Sequence, residues 1–339
     1  MKTTIADIAK LAGVSKATVS RVVNERPEGV GTETRARVKV VIEQAGFQVS
    51  GVARGLATGK SRSVGLIIPD IANPFFPMMV RGIQAALHPR GYSLFLCDSD
   101  RDIGKEKEHV RVLLEKHVDG VILSSTQSDC DCQLDLLDAR SVPYVLLDRI
   151  IEARADGAGV YVDNRMGARM AADYLFAGGC RRLLFLNGPE DLSLSKLRGM
   201  GVQDACRGRG ADQASIRYLY GDYSVAGGEA ALDAALEAAA GIPDFDAVFA
   251  GNDMMAIGAM RSLKRHGIRI PEEVEVVGFD DVEGASLVDP PLTTVAQPAF
   301  RMGRGSAELL LSLMDGMKPP KPTIVMEPVL VVRGTTRFR

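Results

Sequence analysis

Side chains that could bind a small hydroxylated ligand recur at the ends of predicted strands. They are Asn73, Phe75 and Phe76 after the apolar run 64–68, Asp148 and Arg149 after 144–147, Asn252 after 247–250, and Phe279 and Asp280 after 274–277. Carboxylates and amides form paired hydrogen bonds with sugar hydroxyls, arginine donates to them, and flat rings stack on sugar C–H faces. The combination predicts a sugar-binding site. Taken separately, the Asp-Arg pair is also typical of a surface ion pair, and the two phenylalanines are typical of core.

The first 24 residues show a different pattern, in which two short amphipathic helices meet at Gly13. Gly13 permits the tight turn, and Ser15 is a favourable N-cap for the second helix. The residues exposed near the start of that helix are Lys16, Ala17, Ser20 and Arg21. When such a helix enters the major groove, its N-terminal side chains reach the base edges. The pattern predicts a DNA-binding helix-turn-helix, and the alternative is a helical hairpin without that role.

Charge is distributed unevenly along the 339 residues, whose formal net charge is -2. Residues 1–60 carry ten Lys and Arg against five Asp and Glu, whereas the remainder carries 31 against 38. Neutralisation of phosphates by basic side chains drives affinity for duplex DNA. Because the basic block coincides with the predicted helix-turn-helix, the charge pattern supports DNA binding by this end of the chain.

The rest of the chain alternates strand and helix patterns and does so twice. Apolar runs at 64–68, 92–96, 120–123 and 144–147 are followed by a second series at 182–186, 216–220, 247–250 and 274–277. Parallel sheets of this kind bind ligands beyond the carboxyl ends of their strands. We predict an α/β fold with a helix-turn-helix headpiece (1–48), a hinge helix and linker (49–62) and a core (63–339). The core is expected to form two parallel-sheet subdomains, one from about 63–160 and 293–322 and the other from about 161–292 and 323–339.

Several classes of function are disfavoured by what the sequence lacks. It has four scattered histidines and no Gly-x-Gly-x-x-Gly after a strand, no phosphate-binding lysine loop and no nucleophile elbow, so an enzyme is not expected. No run of about 18 apolar residues and no apolar leader is present, which predicts a cytoplasmic protein. The five cysteines are odd in number and lack the paired spacing of a zinc site, so reduced thiols and no metal are expected. No cofactor is predicted.

Several motifs together resemble the lactose-repressor/galactose-repressor family. They lie at 14–24, 34–38, 53–56, 252–258, 277–281 and 291–295. Their order of headpiece, hinge and periplasmic-binding-protein-like core extends over essentially the whole chain. The resemblance implies a homodimer on a pseudo-palindromic operator with a central CG step. It also implies that the 50–57 segments fold into hinge helices only on DNA and insert Leu56 into the minor groove.

The resemblance assigns roles to individual residues. The DNA-binding positions are Thr4, Ser15, Lys16, Ala17, Thr18, Ser20, Arg21, Asn24, Arg54 and Leu56. The effector positions are Phe75, Phe76, Asp148, Arg149, Arg198, Asn252, Asp280 and Gln297, to which a similarity to periplasmic ribose-binding proteins adds Asn73 and Phe279. This set implies a monosaccharide effector, ribose first. Leu192 and Leu194 stand where purine-binding members carry an arginine and a threonine, which argues against a purine corepressor.

The function implied is therefore a repressor of a carbohydrate-utilisation operon, released by a monosaccharide. A sugar acid, a phosphosugar, a nucleoside or a corepressor remain alternatives, and an α/β enzyme or a sugar receptor are remote ones. The chain departs from the family in three places. Val49 and Ser50 replace the proline and asparagine that usually open the hinge helix, Gly31 replaces a serine cap, and Arg333-Gly334-Thr335 replaces the usual Arg-Glu-Ser. No heptad tail follows Arg339, so nothing suggests a tetramer.

Overall fold

The computed structural model describes residues 3–23, 28–47, 59–127, 132–151, 154, 156–208, 216–317, 319 and 321–337. The chain divides into two compact units, Met1–Arg62 and Ser63–Arg339. The predicted hinge helix at 50–57, with Arg54 and Leu56, lies outside the described residues, and so does Asn24. Among the helices described, none is long and apolar enough to cross a membrane.

The described part of the first unit consists of helices α1 (Ile5–Ala12), α2 (Lys16–Val23) and α3 (Thr32–Gln44). A capping box begins α1, because the Thr4 hydroxyl accepts from the Asp7 N–H and the Asp7 carboxylate accepts from the Thr4 N–H. The helix ends at Gly13, whose backbone is left-handed with a φ of 63°. The Ser15 hydroxyl accepts from the Thr18 N–H at 3.1 Å, which confirms the predicted N-cap of α2.

A small hydrophobic core joins these three helices. Its buried members are Ile8, Ala9, Ala12, Val19, Val22 and Val38. Burying an aliphatic side chain of this size stabilises the fold by about 1.5–3 kcal/mol, so the four larger residues fix α1, α2 and α3 against one another. Gly31 precedes α3 and offers no side-chain cap. The first unit is thus held by packing, and the opposite face of α2 stays exposed.

The first subdomain of the second unit is built on a fully parallel sheet. Its strands are β1 (Ser63–Ile68), β2 (Ser93–Asp98), β3 (Gly120–Leu123), β4 (Tyr144–Leu147), β5 (Gly159–Val162) and β11 (Thr323–Met326). They lie in the order β11-β5-β4-β3-β1-β2. Every residue of β1 is buried, as expected for a central strand covered on both faces. The associated helices are α4 (Phe75–Leu87), a short 3₁₀ turn (His88–Arg90), α5 (Ile103–Glu115), α6 (Cys132–Ala139) and α12 (Ala299–Met314).

The second subdomain repeats this architecture with one antiparallel edge. Its strands are β6 (Leu183–Asn187), β7 (Ile216–Tyr220), β8 (Ala247–Ala250), β9 (Glu275–Asp280), β10 (Thr293–Ala296) and β12 (Val329–Val331). They lie in the order β12-β10-β9-β8-β6-β7, and β12 is antiparallel to β10. The associated helices are α7 (Asn164–Ala177), α8 (Ser193–Gly208), α9 (Val225–Ala238), α10 (Asp253–Arg265) and α11 (Glu283–Leu287). The chain passes between the subdomains after β5, after β10 and after β11.

The predicted division of the core differs from the structure near its C-terminal end. The predicted boundaries place 293–322 in the first subdomain and 323–339 in the second. In the structure β10 pairs with β9 in the second sheet, whereas β11 pairs with β5 in the first. These are short strands, and a four-residue apolar pattern does not reveal which sheet accepts it. The segment 299–322 contains α12, which packs on α4 of the first subdomain as the prediction requires.

Each of the eight apolar runs identified in the sequence corresponds to a strand of the structure. The first residue of each strand agrees with the prediction within two positions, and the last residue agrees within three. The strands that were not predicted are β5, β10, β11 and β12. The missed strands have only three or four residues each. Their pairing depends on contacts with distant parts of the chain, which local periodicity does not record.

Candidate functional site

A cavity lies between the two subdomains, at the carboxyl ends of their parallel strands. It is lined by Asp70, Asn73, Phe75, Phe76, Arg101, Asp148, Arg149, Leu194, Arg198, Tyr223, Asn252, Asp280 and Gln297. Its empty space, including the part open to solvent, is about 390 Å³. Nine of the ten residues predicted to bind the effector line this cavity, and Phe279 is the exception.

The N-terminal end of α4 supplies an apolar wall. The Asn73 Oδ1 accepts from the Phe75 N–H at 3.1 Å, which fixes the turn before the helix. The rings of Phe75 and Phe76 meet edge to face, with 5.6 Å between their centroids and 65° between their planes. Both rings belong to the hydrophobic core of the first subdomain and also line the cavity. The two phenylalanines are therefore core residues, as the alternative interpretation of the sequence held. Their packing in the core fixes the apolar wall of the cavity.

Asp148 and Arg149, directly after β4, are buried and do not form a surface ion pair. The Arg149 Nη1 donates to the Ser125 carbonyl at 3.1 Å, and its Nε lies 3.9 Å from the Asp148 Oδ2. Burial raises the pKa of Asp148, and the positive charges of Arg149 and Arg198 oppose this shift. Burial also lowers the pKa of Arg149. Among the described residues, the Asp148 Oδ1 and Arg149 Nε have no hydrogen-bond partner. Both atoms are thus available to a ligand.

A buried hydrogen-bond network fixes the loop after β3, in which the Ser125 carbonyl accepts from Arg149. Glu106 of α5 accepts from the Ser125 hydroxyl at 2.8 Å, from the Gln133 side chain at 2.9 Å and from the Thr126 N–H at 2.7 Å. Burial raises the pKa of Glu106, while these hydrogen bonds and the charge of Arg149 oppose the shift. This network was not predicted, because its residues are distant in sequence and share no motif.

Arg198 enters the cavity from α8 in the second subdomain. Its Nε donates to the Asn164 Oδ1 at 2.8 Å, and its Nη1 donates to the Gly251 carbonyl. Its guanidinium carbon lies 3.8 Å above the centroid of the Phe279 ring. Phe279 on β9 is fully buried, so the structure places it under Arg198 and outside the cavity lining. This cation–π contact fixes the position of the Arg198 guanidinium over β9.

Two carboxyl groups lie at the ends of β8 and β9. The Gln297 Nε2 donates to the Asp280 Oδ1 at 2.7 Å, and among the described residues the Gln297 Oε1 has no partner. Burial raises the pKa of Asp280 to about 7, an effect that the charge of Arg198 opposes. Asp253 is fully buried and accepts from the Thr294 hydroxyl at 2.5 Å and from a backbone N–H of 282 at 2.8 Å. Burial and the negative charge of Asp280 raise the pKa of Asp253 well above its ordinary value.

Asn252 and Tyr223 complete the wall of the second subdomain. The Asn252 Oδ1 accepts from the Met255 N–H at 2.9 Å and so caps α10, and its Nδ2 donates to the Tyr223 carbonyl at 3.1 Å. One Nδ2 hydrogen of Asn252 remains for a ligand. Tyr223 has a left-handed φ of 66°, and its hydroxyl shares a 2.8 Å hydrogen bond with the Ser195 hydroxyl. These contacts fix the tyrosine ring against the cavity.

Four lining residues were absent from the predicted set: Asp70, Arg101, Leu194 and Tyr223. Three of them follow strand ends, because Asp70 comes after β1, Arg101 after β2 and Tyr223 after β7. The strand-end argument that selected the other residues applies equally to these, so the signal was present in the sequence. Leu194 had been noted only for its effect on purine binding.

The cavity is lined by carboxyl groups and guanidiniums in equal number. Its carboxylates are Asp70, Asp148 and Asp280, and its guanidiniums are Arg101, Arg149 and Arg198. Amide groups and aromatic rings lie between them, so the site can donate and accept hydrogen bonds over a small ligand while its rings cover an apolar face. Among the described residues, no group of three or more His, Cys, Asp or Glu side chains could hold a metal ion.

Of the residues predicted to bind DNA, seven are described, and five of these are exposed. Those classed as exposed are Thr4, Ser15, Lys16, Ala17 and Arg21, whereas Thr18 and Ser20 are half-buried. The hydroxyl groups of Thr18 and Ser15 share a hydrogen bond of 2.9 Å. The Thr4 hydroxyl belongs to the capping box of α1. At the start of α2, Lys16 and Ala17 therefore present an exposed surface, with Arg21 one turn further on.

The comparisons with known proteins cover both units. "Bacterial regulatory proteins, lacI family" matches residues 4–50, and "Periplasmic binding protein-like domain" matches residues 172–336. The ribose operon repressor of Bacillus subtilis (strain 168) is 34% identical over 334 residues, which is 98% of each chain. The similarity thus extends through the headpiece and the core together.

Solved structures give the same result. The crystal structure of the lac repressor dimer bound to operator and the anti-inducer ONPF is 28% identical, has a TM-score of 0.88 and covers 99% of both chains. A regulator of the lacI family from Enterococcus faecium with bound ribose is 27% identical, has a TM-score of 0.72 and covers 81% of this chain and 98% of its own. These matches confirm the predicted fold class and the resemblance stated from the motifs. The chain belongs to the lacI family of bacterial regulatory proteins.

Proposed function

We propose that this chain is a homodimeric transcriptional repressor that releases operator DNA when a neutral monosaccharide, ribose first, binds between the subdomains. The observation that carries the proposal is the charge-balanced polar cavity, in a chain that also has a basic helix-turn-helix. The regulated genes are those of a carbohydrate-utilisation operon. The protein acts by binding rather than catalysis, and it acts in the cytoplasm because its operator DNA is there.

The effector proposal rests on the hydrogen-bonding groups left free in the cavity. Among the described residues, the buried Asp148 Oδ1, Arg149 Nε and Gln297 Oε1 have no partner. A buried polar atom without a partner costs about 1–3 kcal/mol, so a ligand that offers hydroxyls to all three gains that free energy on binding. A sugar hydroxyl both donates and accepts, which suits a set containing acceptors and a donor. Phe75 and Phe76 then cover a C–H face of the ring.

The charge balance distinguishes between classes of ligand. Where all three carboxyl groups are ionised they offset the three guanidiniums, so the negative charge of a phosphosugar or a sugar acid would be buried without compensation, which is costly. A nucleoside would need additional space and hydrogen-bonding partners for its base, and Leu194 offers none. A neutral polyol satisfies the groups present without adding charge. The ribose-bound relative supports ribose as the first candidate.

The DNA-binding proposal rests on the exposed start of α2 and on the charge of the headpiece. We propose that Lys16, Ala17 and Arg21 contact base edges, and that Thr4, Ser15, Thr18 and Ser20 serve as positions near the backbone or base edges. Asn24, Arg54 and Leu56 belong to the same proposed surface. A dimer bound to operator in the lac repressor structure supports a homodimer on a pseudo-palindromic site.

Closure of the cleft provides the connection between ligand and DNA. Asp148 and Arg149 come from the first subdomain, whereas Arg198 and Asp280 come from the second, so a sugar that bonds to both sets binds a closed cleft better than an open one. Such a ligand shifts the equilibrium only by this difference in affinity. The hinge segment joins directly to β1, so we propose that closure moves the first subdomains of the dimer and separates the paired hinge segments. The expected effect of the ligand is induction.

Two titrations test the proposal. Calorimetry of the full chain with ribose, other neutral monosaccharides, ribose 5-phosphate, gluconate and a nucleoside should give heat with a neutral sugar and none with the charged ligands. Fluorescence anisotropy on duplexes selected from a random pool should return a pseudo-palindromic site whose affinity falls when that sugar is added. Binding of a charged ligand alone would overturn the effector class, and sugar that tightens DNA binding would make the effector a corepressor.

A further inference from the structure

Arg101 is a cavity residue with a contact that the other arginines do not make. It follows β2 in the first subdomain, and its backbone adopts a left-handed φ of 59°. Its Nη2 lies 2.5 Å from the Asp70 Oδ2 in the same subdomain. Its Nη1 donates to the Asp222 carbonyl of the second subdomain at 2.5 Å and lies 3.9 Å from the Asp222 carboxylate. The guanidinium thus bridges the two subdomains at the mouth of the cavity.

Both partners of Arg101 are held by their own neighbours. The Asp70 Oδ1 accepts from the Ala72 N–H at 2.8 Å, which leaves Oδ2 for the arginine. The Asp222 Oδ1 accepts from the N–H and the hydroxyl of Ser224 at 2.9 and 2.6 Å, which leaves Oδ2 toward Arg101. A guanidinium has a fixed planar fork of donors, so two acceptors held on opposite subdomains define one geometry for the bridge. Opening the cleft breaks the bond to Asp222 and leaves the bond to Asp70.

We propose that Arg101 is a latch across the cleft, which favours the closed conformation and retains small ligands that fit entirely behind it. The inference rests on the proposed function for the identity of the ligand, but the bridge itself exists without one. The side chains of Arg101 and Asp222 are 37% and 57% exposed, so solvent screening reduces the ion-pair attraction. The charge-assisted bond to the Asp222 carbonyl supplies the greater part of the latch.

The latch affects ligand affinity through the population of the closed conformation. The apparent dissociation constant equals that of the closed form divided by the fraction of molecules that are closed. Removing one charge-assisted bond of this exposure is expected to weaken the binding of ribose about 3- to 10-fold. A ligand too large for the closed cavity cannot use the latch, so its affinity does not depend on Arg101. The latch therefore makes the site selective for monosaccharides.

The test compares the parent chain with Arg101→Ala, Arg101→Lys, Asp222→Asn and the double variant Arg101→Ala/Asp222→Asn. Small-angle scattering without ligand should show a larger radius of gyration for Arg101→Ala, because the cleft opens. Calorimetry with ribose should show the loss given above for Arg101→Ala and an intermediate loss for Arg101→Lys, since one ammonium cannot hold both acceptors. Asp222→Asn should show a smaller loss of about 2-fold that disappears in the Arg101→Ala background.

Lys105→Ala is the matched control, because Lys105 pairs with Asp100 at 2.7 Å a few residues away and does not line the cavity. It should change neither measurement. Superimposable ligand-free scattering of Arg101→Ala and the parent would overturn the latch, and so would additive losses in the double variant. If the parent binds no neutral monosaccharide, the proposed effector is wrong, yet the scattering comparison still decides whether Arg101 closes the cleft.

Discussion

Replacement of Asp280 by asparagine tests the assignment of the cavity most sharply, because it changes charge with little change in shape. Asp280 is only 6% exposed, so solvent screens its interactions weakly. Gln297 occupies Oδ1, and in the described part of the chain Oδ2 has no hydrogen-bond partner, which leaves it for a ligand hydroxyl. One charge-assisted hydrogen bond contributes about 1.5–3 kcal/mol. Asp280→Asn should therefore weaken sugar binding about 10- to 150-fold.

The assay is calorimetric titration of the folded variant with ribose and related monosaccharides at pH 8. Thermal unfolding without ligand checks the fold and has a predicted sign of its own. The native pKa of Asp280 is raised from 3.8 to about 7, so the native state binds more protons than the unfolded chain between these values and loses stability as pH rises through them. Asp280→Asn removes this loss, so the variant should unfold at a higher temperature than the parent at pH 8.

Asp281→Asn is the matched control. Asp281 is the next residue, but its carboxylate pairs with Arg333 at 2.6 Å and does not line the cavity. The affinity of this variant for the sugar should stay within about 2-fold of that of the parent, because neither Asp281 nor Arg333 lines the cavity. Equal affinities for the parent and Asp280→Asn, or equal losses in both variants, would refute the placement of the ligand against Asp280.

Further predictions concern the pH dependence of sugar binding, the packing of α4 on α12, and the DNA contacts. Because hydroxyl donors favour the ionised carboxylate, the sugar affinity of the parent should be about tenfold weaker at pH 6 than at pH 8, and this slope should vanish in Asp280→Asn by calorimetry. Gly82→Ala should lower the free energy of unfolding by about 1–3 kcal/mol, because the added Cβ would lie 2.1 Å from a backbone oxygen of α12. Gly305→Ala, whose Cβ would meet only ordinary contact at 3.5 Å, should not destabilise the protein in the same denaturant titration. Arg21→Ala should cost about 1–3 kcal/mol of operator affinity and relax one symmetric base pair per half-site in a selection experiment. Leu56→Ala should weaken operator binding at fixed salt and leave ribose calorimetry unchanged, and unchanged DNA affinity would contradict the proposed minor-groove wedge.

The sequence predicted the fold well where local signals were strong. The turn at Gly13, the cap at Ser15 and the apolar runs of β1 to β4 each combine residue type with spacing, and all are present in the structure. Local signals could not predict that β10 belongs to the second sheet and β11 to the first. Each has only four residues, and its sheet is decided by pairing with strands more than a dozen residues away along the chain.

The site was predicted to a similar extent and for a similar reason. Residues that follow strands converge because the topology brings the strand ends together, which is why most of the predicted set lines one cavity. Tyr223 and Arg101 satisfy the same rule but were not selected. Glu106 could not be found this way, because it acts through Ser125 on a neighbouring loop and nothing in its own sequence surroundings indicates the contact. Phe279 was predicted to bind the effector, but its ring lies beneath Arg198 and outside the cavity lining.

The dependence of operator affinity on ribose decides whether a sugar in the cleft releases this protein from DNA. Fluorescence anisotropy of a selected operator duplex would be titrated with the parent chain and with Asp280→Asn, each with and without saturating ribose, at pH 8 and constant salt. Ribose should weaken DNA binding by the parent and have little effect on the variant, whose affinity for DNA without sugar should match that of the parent. Unchanged operator affinity of the parent with every neutral monosaccharide tested would contradict this prediction.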